Sequence, residues 1–146
     1  RTSLREQEAV FGRTKLEGAP LSGGTEMTTP DFAAAGRDGV PLIDVNSHVA
    51  LAHPSNNSGV RVLRRAYNYT DGSDGLGRLD AGLFYLAFAR DLDKQFVPLQ
   101  MQLSRSDLMN EYVRYIASAA FAIPPGVASA GGYIGQTLFD TLGSAS

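Results

Sequence analysis

The stretch GVRVLRRAYNYTDGSDGLGRLDAGLFYLAFAR, residues 59–90, holds two runs of strand character around a polar, glycine-rich turn. Residues 59–69 alternate and are rich in β-branched and aromatic side chains, which predicts a strand. Residues 70–80 read as turn. Residues 81–90 are almost wholly apolar and of strand length, which predicts a central strand buried on both faces. Acidic density in DGSDGLGRLD lacks the ligand order of a calcium loop and reads as a solvated turn.

Around this pair the elements are mostly helical. RTSLREQEAVFG at the start has Ser3 as a helix cap and Glu6 three residues later, a capping-box spacing. Residues 13–44 show no sustained period and are rich in glycine, proline, serine and threonine, as functional or wrapped loops are. In DVNSHVALAHPS, residues 44–55, Asn46 or Ser47 can cap a short helix that Pro54 stops. Helices are expected at 93–103 and 107–115, a further strand in IASAAFAIPP ended by Pro124 and Pro125, and a short C-terminal helix in GGYIGQTLFDTL. The order points to an α+β domain with helices on a mostly antiparallel sheet.

Bulk composition narrows the function. The 146 residues carry 43% hydrophobic and 19% charged side chains, enough for one domain with a core. A net charge of −2 without a basic block argues against nucleic acid. No run approaches the roughly 20 apolar residues of a membrane span. The absence of cysteine excludes disulfides and thiolate-held metals. NYT and NNS match the glycosylation sequon, a pattern of low specificity.

Three residues carry potential chemistry. His48 projects from its short helix among alanine and leucine, as a core histidine does; His48 and His53 lack the four-residue spacing of a helical zinc pair. Arg64 and Arg65 must leave a strand on opposite faces. Arg64 shares its side with Val60, Val62 and Ala66, so it carries a permanent charge into apolar space, as a structural ion pair or over a reaction centre. Arg65 falls with Arg61 and Leu63 on a mixed surface. Glu111 shares a helical stripe with Leu108, Tyr112 and Tyr115, either at its solvated edge or accepting from a histidine N–H. Asp107 is the nearest competitor.

FGRTKLEGAPL, DVNSHVALAHP, VLRRAYNYTDG, LDAGLFYLAFARD, QFVPLQMQL and NEYVRYIASAAFAIPPGV occur here in one order and cover nearly the whole chain. Together they resemble the dye-decolourising peroxidases, which are haem enzymes, and look most like the bacterial subgroup with exported, iron-uptake-associated members. The resemblance implies a ferredoxin-like α+β domain, the haem-binding C-terminal half of a two-domain protein, over residues 1–146. It implies haem b as cofactor, His48 as the proximal iron ligand, and Glu111 as its hydrogen-bonding acid. His53, Pro54 and Ser55 match a stretch against the haem, Arg64 the distal arginine, and Arg13 an arginine near a haem propionate. Hydrogen peroxide and organic reductants would be the substrates, with Tyr67, Tyr69, Tyr85, Tyr112, Tyr115 and Tyr133 as unranked surface relays. Twin-arginine-type export to an extracellular or periplasmic location is implied, with the cytoplasm as the alternative.

The family's distal aspartate lies in a Gly-x-x-Asp-Gly motif that does not occur here; AGRDG and DGSDG lack its first glycine. A companion N-terminal fragment, or self-association through an apolar sheet face as a homo-oligomer, is therefore expected. Two other outcomes stay open: release of iron from haem with the porphyrin intact, as a deferrochelatase does, and a non-enzymatic haem-binding fragment.

Overall fold

The computed structural model describes residues 2–143, and the chain divides into two units, Arg1–Val113 and Arg114–Ser146. Helix α1 (Leu4–Phe11) starts where the capping pattern puts it: Ser3 is extended and its hydroxyl accepts from the Glu6 N–H at 3.2 Å. The helix ends at Gly12, which takes the left-handed conformation (φ 78°) and donates its N–H to the Glu8 carbonyl. A side chain here would be strained, and its Cβ would sit 2.5 Å from a Val49 methyl and 2.9 Å from the Ser47 hydroxyl. Glycine thus lets the end of α1 close onto the start of the next helix.

Residues 13–44 contain no helix or strand, as expected, and only isolated bridges, Arg13 with Pro20 and Ala35 with Pro41. Helix α2 (His48–Ala52) follows with Ser47 as its cap residue and with His53 in extended backbone before Pro54. Asn56 and Asn57 fold back and donate to the carbonyls of Ala50 and Ala52, satisfying helix-end acceptors. Leu51 packs with Leu99 and Leu103 of helix α3 (Val97–Ser106), and Ala52, Val60 and Val62 close over that cluster. A π-helical turn (Leu92–Phe96) leads into α3, capped by Asp91 accepting from Lys94 N–H. The helix expected at 93–103 is therefore a π turn followed by an α-helix.

Three expectations are corrected. The segment 107–115 is a single 3₁₀ turn (Leu108–Glu111), too short to build an amphipathic stripe. Strands β1 (Leu63–Ser73) and β2 (Leu79–Phe88) form an antiparallel hairpin, the only sheet among the described residues. Strand β2 is consequently not buried on both faces: its length is exposed or half-exposed, because no further strand or layer covers it within the described chain. Residues 116–125 run irregularly, since no strand among the described residues pairs with them. The C-terminal helix is observed as α4 (Gln136–Gly143). The architecture is α+β.

Candidate functional site

His48 opens α2, and the residue that meets it comes from the far end of α3. Asp107 leaves α3 in extended backbone, with its N–H still bonded to the Leu103 carbonyl. One carboxylate oxygen accepts from the Met109 N–H at 2.9 Å and caps the 3₁₀ turn; the other lies 2.6 Å from Nδ1 of His48. The next N–H, of Leu108, donates to the Asn46 carbonyl just ahead of α2, so backbone and side chain dock the two segments together. The Asp107 side chain is 1% exposed and the imidazole 22%.

A buried carboxylate at this distance assigns the imidazole proton to Nδ1, leaving the Nε2 lone pair free to bind a metal. The Phe11 ring stands edge-on to the imidazole at 6.2 Å between centroids, which limits its swing. Among the described residues no group of three histidines, cysteines or acids gathers to hold a bare ion. A lone imidazole with a carboxylate behind it suits iron whose other ligands come from a macrocycle.

Asp107, not Glu111, is therefore the acid bonded to His48. Glu111 sits exposed on the 3₁₀ turn, beside Tyr112. The stripe reading assumed a continuous α-helix, whereas the chain turns at Asp107 and brings that shorter side chain against α2. The sequence signal was local: an aspartate directly after a helix and ahead of LMN is a capping position.

His53 takes a different environment. Five residues beyond His48, it is displaced about 140° around a helix, its Nδ1 is 2.7 Å from the Ser55 hydroxyl, and its ring meets Phe32 edge-on at 5.2 Å. Arg13 donates from Nη1 to the carbonyls of Gly18 and Glu26, bracing the 13–44 segment. Pro54 accepts from the Gly59 N–H.

The arginine pair divides as strand geometry requires, but neither residue is buried. Val60 and Val62 precede β1 and belong to the α2–α3 cluster, so they do not enclose Arg64. By register, Arg64 shares a face with Ala66, Asn68, Leu83, Tyr85 and Ala87. Arg65 shares the other with Leu63, Tyr67, Phe84, Leu86 and Phe88. The face of Arg65 is thus the bulkier apolar one rather than the expected mixed surface. Tyr69 on that face lies across Gly82, where a Cβ would meet the phenol oxygen at 2.5 Å.

Two cavities accompany these elements, one of about 260 Å³ beside Phe32, Ile43 and Leu51, and one of about 600 Å³ at the open end of the hairpin beside Arg61, Leu63, Phe88 and Arg90. His48 lines neither.

The chain is 41% identical over 135 residues to a dye-decolorizing peroxidase of Thermobifida fusca, covering 92% of this chain and 31% of that one. It is 38% identical over 140 residues to a deferrochelatase of Escherichia coli K12, covering 94% and 32%. Among solved structures, an oxyferrous/water mixed complex of DtpA from Streptomyces lividans superposes with a TM-score of 0.88 at 41% identity, covering 94% of this chain and 38% of that one. A DyP-type peroxidase from Cellulomonas bogoriensis gives 0.86, also at 41%. The chain spans about a third of the length of the relatives it matches. The sequence model of the family described as "Dyp-type peroxidase, C-terminal" matches residues 1–128, and the chain belongs to that family.

Proposed function

We propose that this chain supplies the iron-binding side of a haem b peroxidase, with His48 as the protein ligand to iron. The observation that carries the reading is the 2.6 Å bond between His48 Nδ1 and the buried Asp107 carboxylate, which frees Nε2 as a donor. When bound, haem supplies the iron at which hydrogen peroxide is cleaved. Asp107 pulls on the imidazole proton, gives the ring imidazolate character and makes it a stronger electron donor. The acid role proposed from sequence for Glu111 passes to Asp107.

Arg64 is proposed as the distal arginine. Its face carries Ala66, Ala81 and Ala87 together with Asn68, Leu83 and Tyr85, and a guanidinium there would stabilise the negative charge that develops as the O–O bond breaks. His53, Pro54 and Ser55 are proposed to lie beside the haem. Arg13, with Nη1 already committed to backbone carbonyls, is proposed to approach a propionate through its remaining N–H groups. The acid–base aspartate belongs to the rest of the protein, the companion N-terminal part, and association into a homo-oligomer and export are part of the same proposal. Dyes and other organic reductants are the proposed electron donors.

A second reading, release of iron from haem with the porphyrin intact, is favoured by the relatives named deferrochelatase. The test is the absorption spectrum of the haem-loaded protein with and without His48→Ala, followed by product analysis. Oxidised dye supports the peroxidase. Free porphyrin supports the alternative. A normal ferric spectrum in His48→Ala overturns both.

A further inference from the structure

Helix α3 stops where its hydrogen bonds change partners, and the side chain of Asn110 makes the exchange. In a continuous α-helix the Ser104 carbonyl accepts from the N–H four residues on, that of Leu108. Here the Leu108 N–H donates instead to the Asn46 carbonyl at 3.1 Å, just ahead of α2. The carbonyl it leaves behind is taken by Asn110, whose Nδ2 donates to Ser104 at 3.2 Å and to Leu103 at 2.9 Å. One side-chain amide, with its two N–H groups, thus satisfies helix-end acceptors that the backbone gives up. The backbone N–H of Asn110 bonds back to the Asp107 carbonyl at 3.0 Å and closes the 3₁₀ turn.

Asp107 stands where two paths of the chain part. Residues 107–115 have the spacing of an amphipathic helix, so running on is the local alternative to turning. Along a helix that ran on, the Leu108 N–H would be spent on Ser104 and the Met109 N–H on Arg105. Asn46 would lose its donor, and the Asp107 carboxylate would lose the N–H that holds one of its oxygens. In the turn as built, Asp107 is extended (φ −69°, ψ 123°), one oxygen accepts from Met109, and the other meets His48 Nδ1.

We propose that Asn110 is a positioning residue for the iron ligand. By taking the Ser104 carbonyl it frees the Leu108 N–H to dock on Asn46, ends α3 at Ser106 and holds Asp107 behind His48. Asn110 acts through Asp107, and the proposal rests on the reading of His48 as the protein ligand to haem iron.

The experiment uses the full-length protein, haem-loaded and haem-free. In the ferrous haem-loaded form, the iron–histidine stretching band in resonance Raman reads the strength of the Asp107 bond. Asn110→Ala should move that band to lower frequency, the direction in which Asp107→Asn moves it. It should also weaken haem binding by about tenfold, the lower end of the range for such outer partners. In the Asp107→Asn background Asn110→Ala should move the band no further, because both act through one carboxylate. In the haem-free protein the Nδ1 proton of His48 should give a far-downfield nuclear magnetic resonance line. Asn110→Ala should move that line upfield, and His53→Ala should leave it in place. Should Asn110→Ala not fold, Asn110→Asp, of equal size without the N–H donors, carries the same readouts. An Asn110 variant that lowers only the urea midpoint, with band and proton line unmoved, overturns the positioning role and leaves the reading of His48 standing. A band shift that persists in full on top of Asp107→Asn overturns it as well. Absence of an iron–histidine band from the unsubstituted protein overturns His48 as the iron ligand, and the haem-free proton line then decides by itself whether Asn110 holds Asp107 against the imidazole.

Discussion

The α2–α3 region and the β1–β2 hairpin differ in how much of their apolar surface this chain covers. Around α2, Leu51, Leu99 and Leu103 are buried and Asp107 is shielded to within 1% of exposure. Along the hairpin, Leu63, Tyr67, Leu83 and Phe84 are each more than half exposed, though the strands are as apolar as a core. Burying a side chain of this size contributes about 1.5–3 kcal/mol, and a hairpin alone in water is marginal. The helical region thus holds His48 and Asp107 by its own contacts, whereas the hairpin leaves both faces largely uncovered among the described residues.

Substitution at the two histidines tests the self-contained region most severely. His48→Ala should abolish the ferric haem spectrum, and His53→Ala should leave iron coordination intact, because only His48 has its Nδ1 held by a buried carboxylate. The opposite pattern would move the ligand to the end of α2 and break the contrast.

On the hairpin the decisive pair is Arg64 and Arg65. In the complete enzyme Arg64→Leu should slow peroxide cleavage by about 10²–10³-fold, the usual cost of losing a transition-state charge stabiliser. Arg65→Leu should change that rate little and act on association, since it sits among Leu63, Phe84 and Leu86. A larger effect from Arg65 on stopped-flow traces would mean that the face of Arg65, not that of Arg64, meets the haem.

The two acids give a smaller, sharper test. Asp107→Asn should raise the haem reduction potential and weaken haem binding by about 10–100-fold, the range found for outer-shell partners of metal-bound histidine. Glu111→Gln should leave both unchanged in a spectroelectrochemical titration. Equal shifts would return Glu111 to the imidazole.

What could be read from the sequence follows the same division. Local rules worked where the structure is local: the Ser3 cap, the α2 helix before Pro54 and the long irregular segment. The strand runs were legible too, though β1 starts four residues later than expected and β2 is exposed, because apolar composition says that a strand will be covered but not by what. For the same reason residues 116–125 looked like a strand but lack a neighbour here to pair with. The site was half legible. His48 was singled out through the family resemblance, and its acid was misassigned because an α-helical period was read over residues 107–115, where the chain makes only a 3₁₀ turn.

Gly12 and Tyr112 test how α1 is held to the helical region, with effects on stability rather than chemistry. Gly12→Ala forces a left-handed residue to carry a Cβ against Val49 and should cost about 1–3 kcal/mol in a urea titration. The Tyr112–Glu6 bond is milder and depends on pH. The phenol donates only while protonated, and the folded state holds that proton more tightly than the usual value of 10.0, with a pKa of about 12. More protons bound in the folded state means that stability falls as pH rises. The bond should contribute fully below about pH 10 and be lost progressively towards pH 12, and in Tyr112→Phe that part of the alkaline slope should vanish. Because the pair is exposed, the change should be small beside that of Gly12→Ala. A wild-type slope identical to that of Tyr112→Phe would mean that the Tyr112–Glu6 bond adds nothing to the fastening of α1.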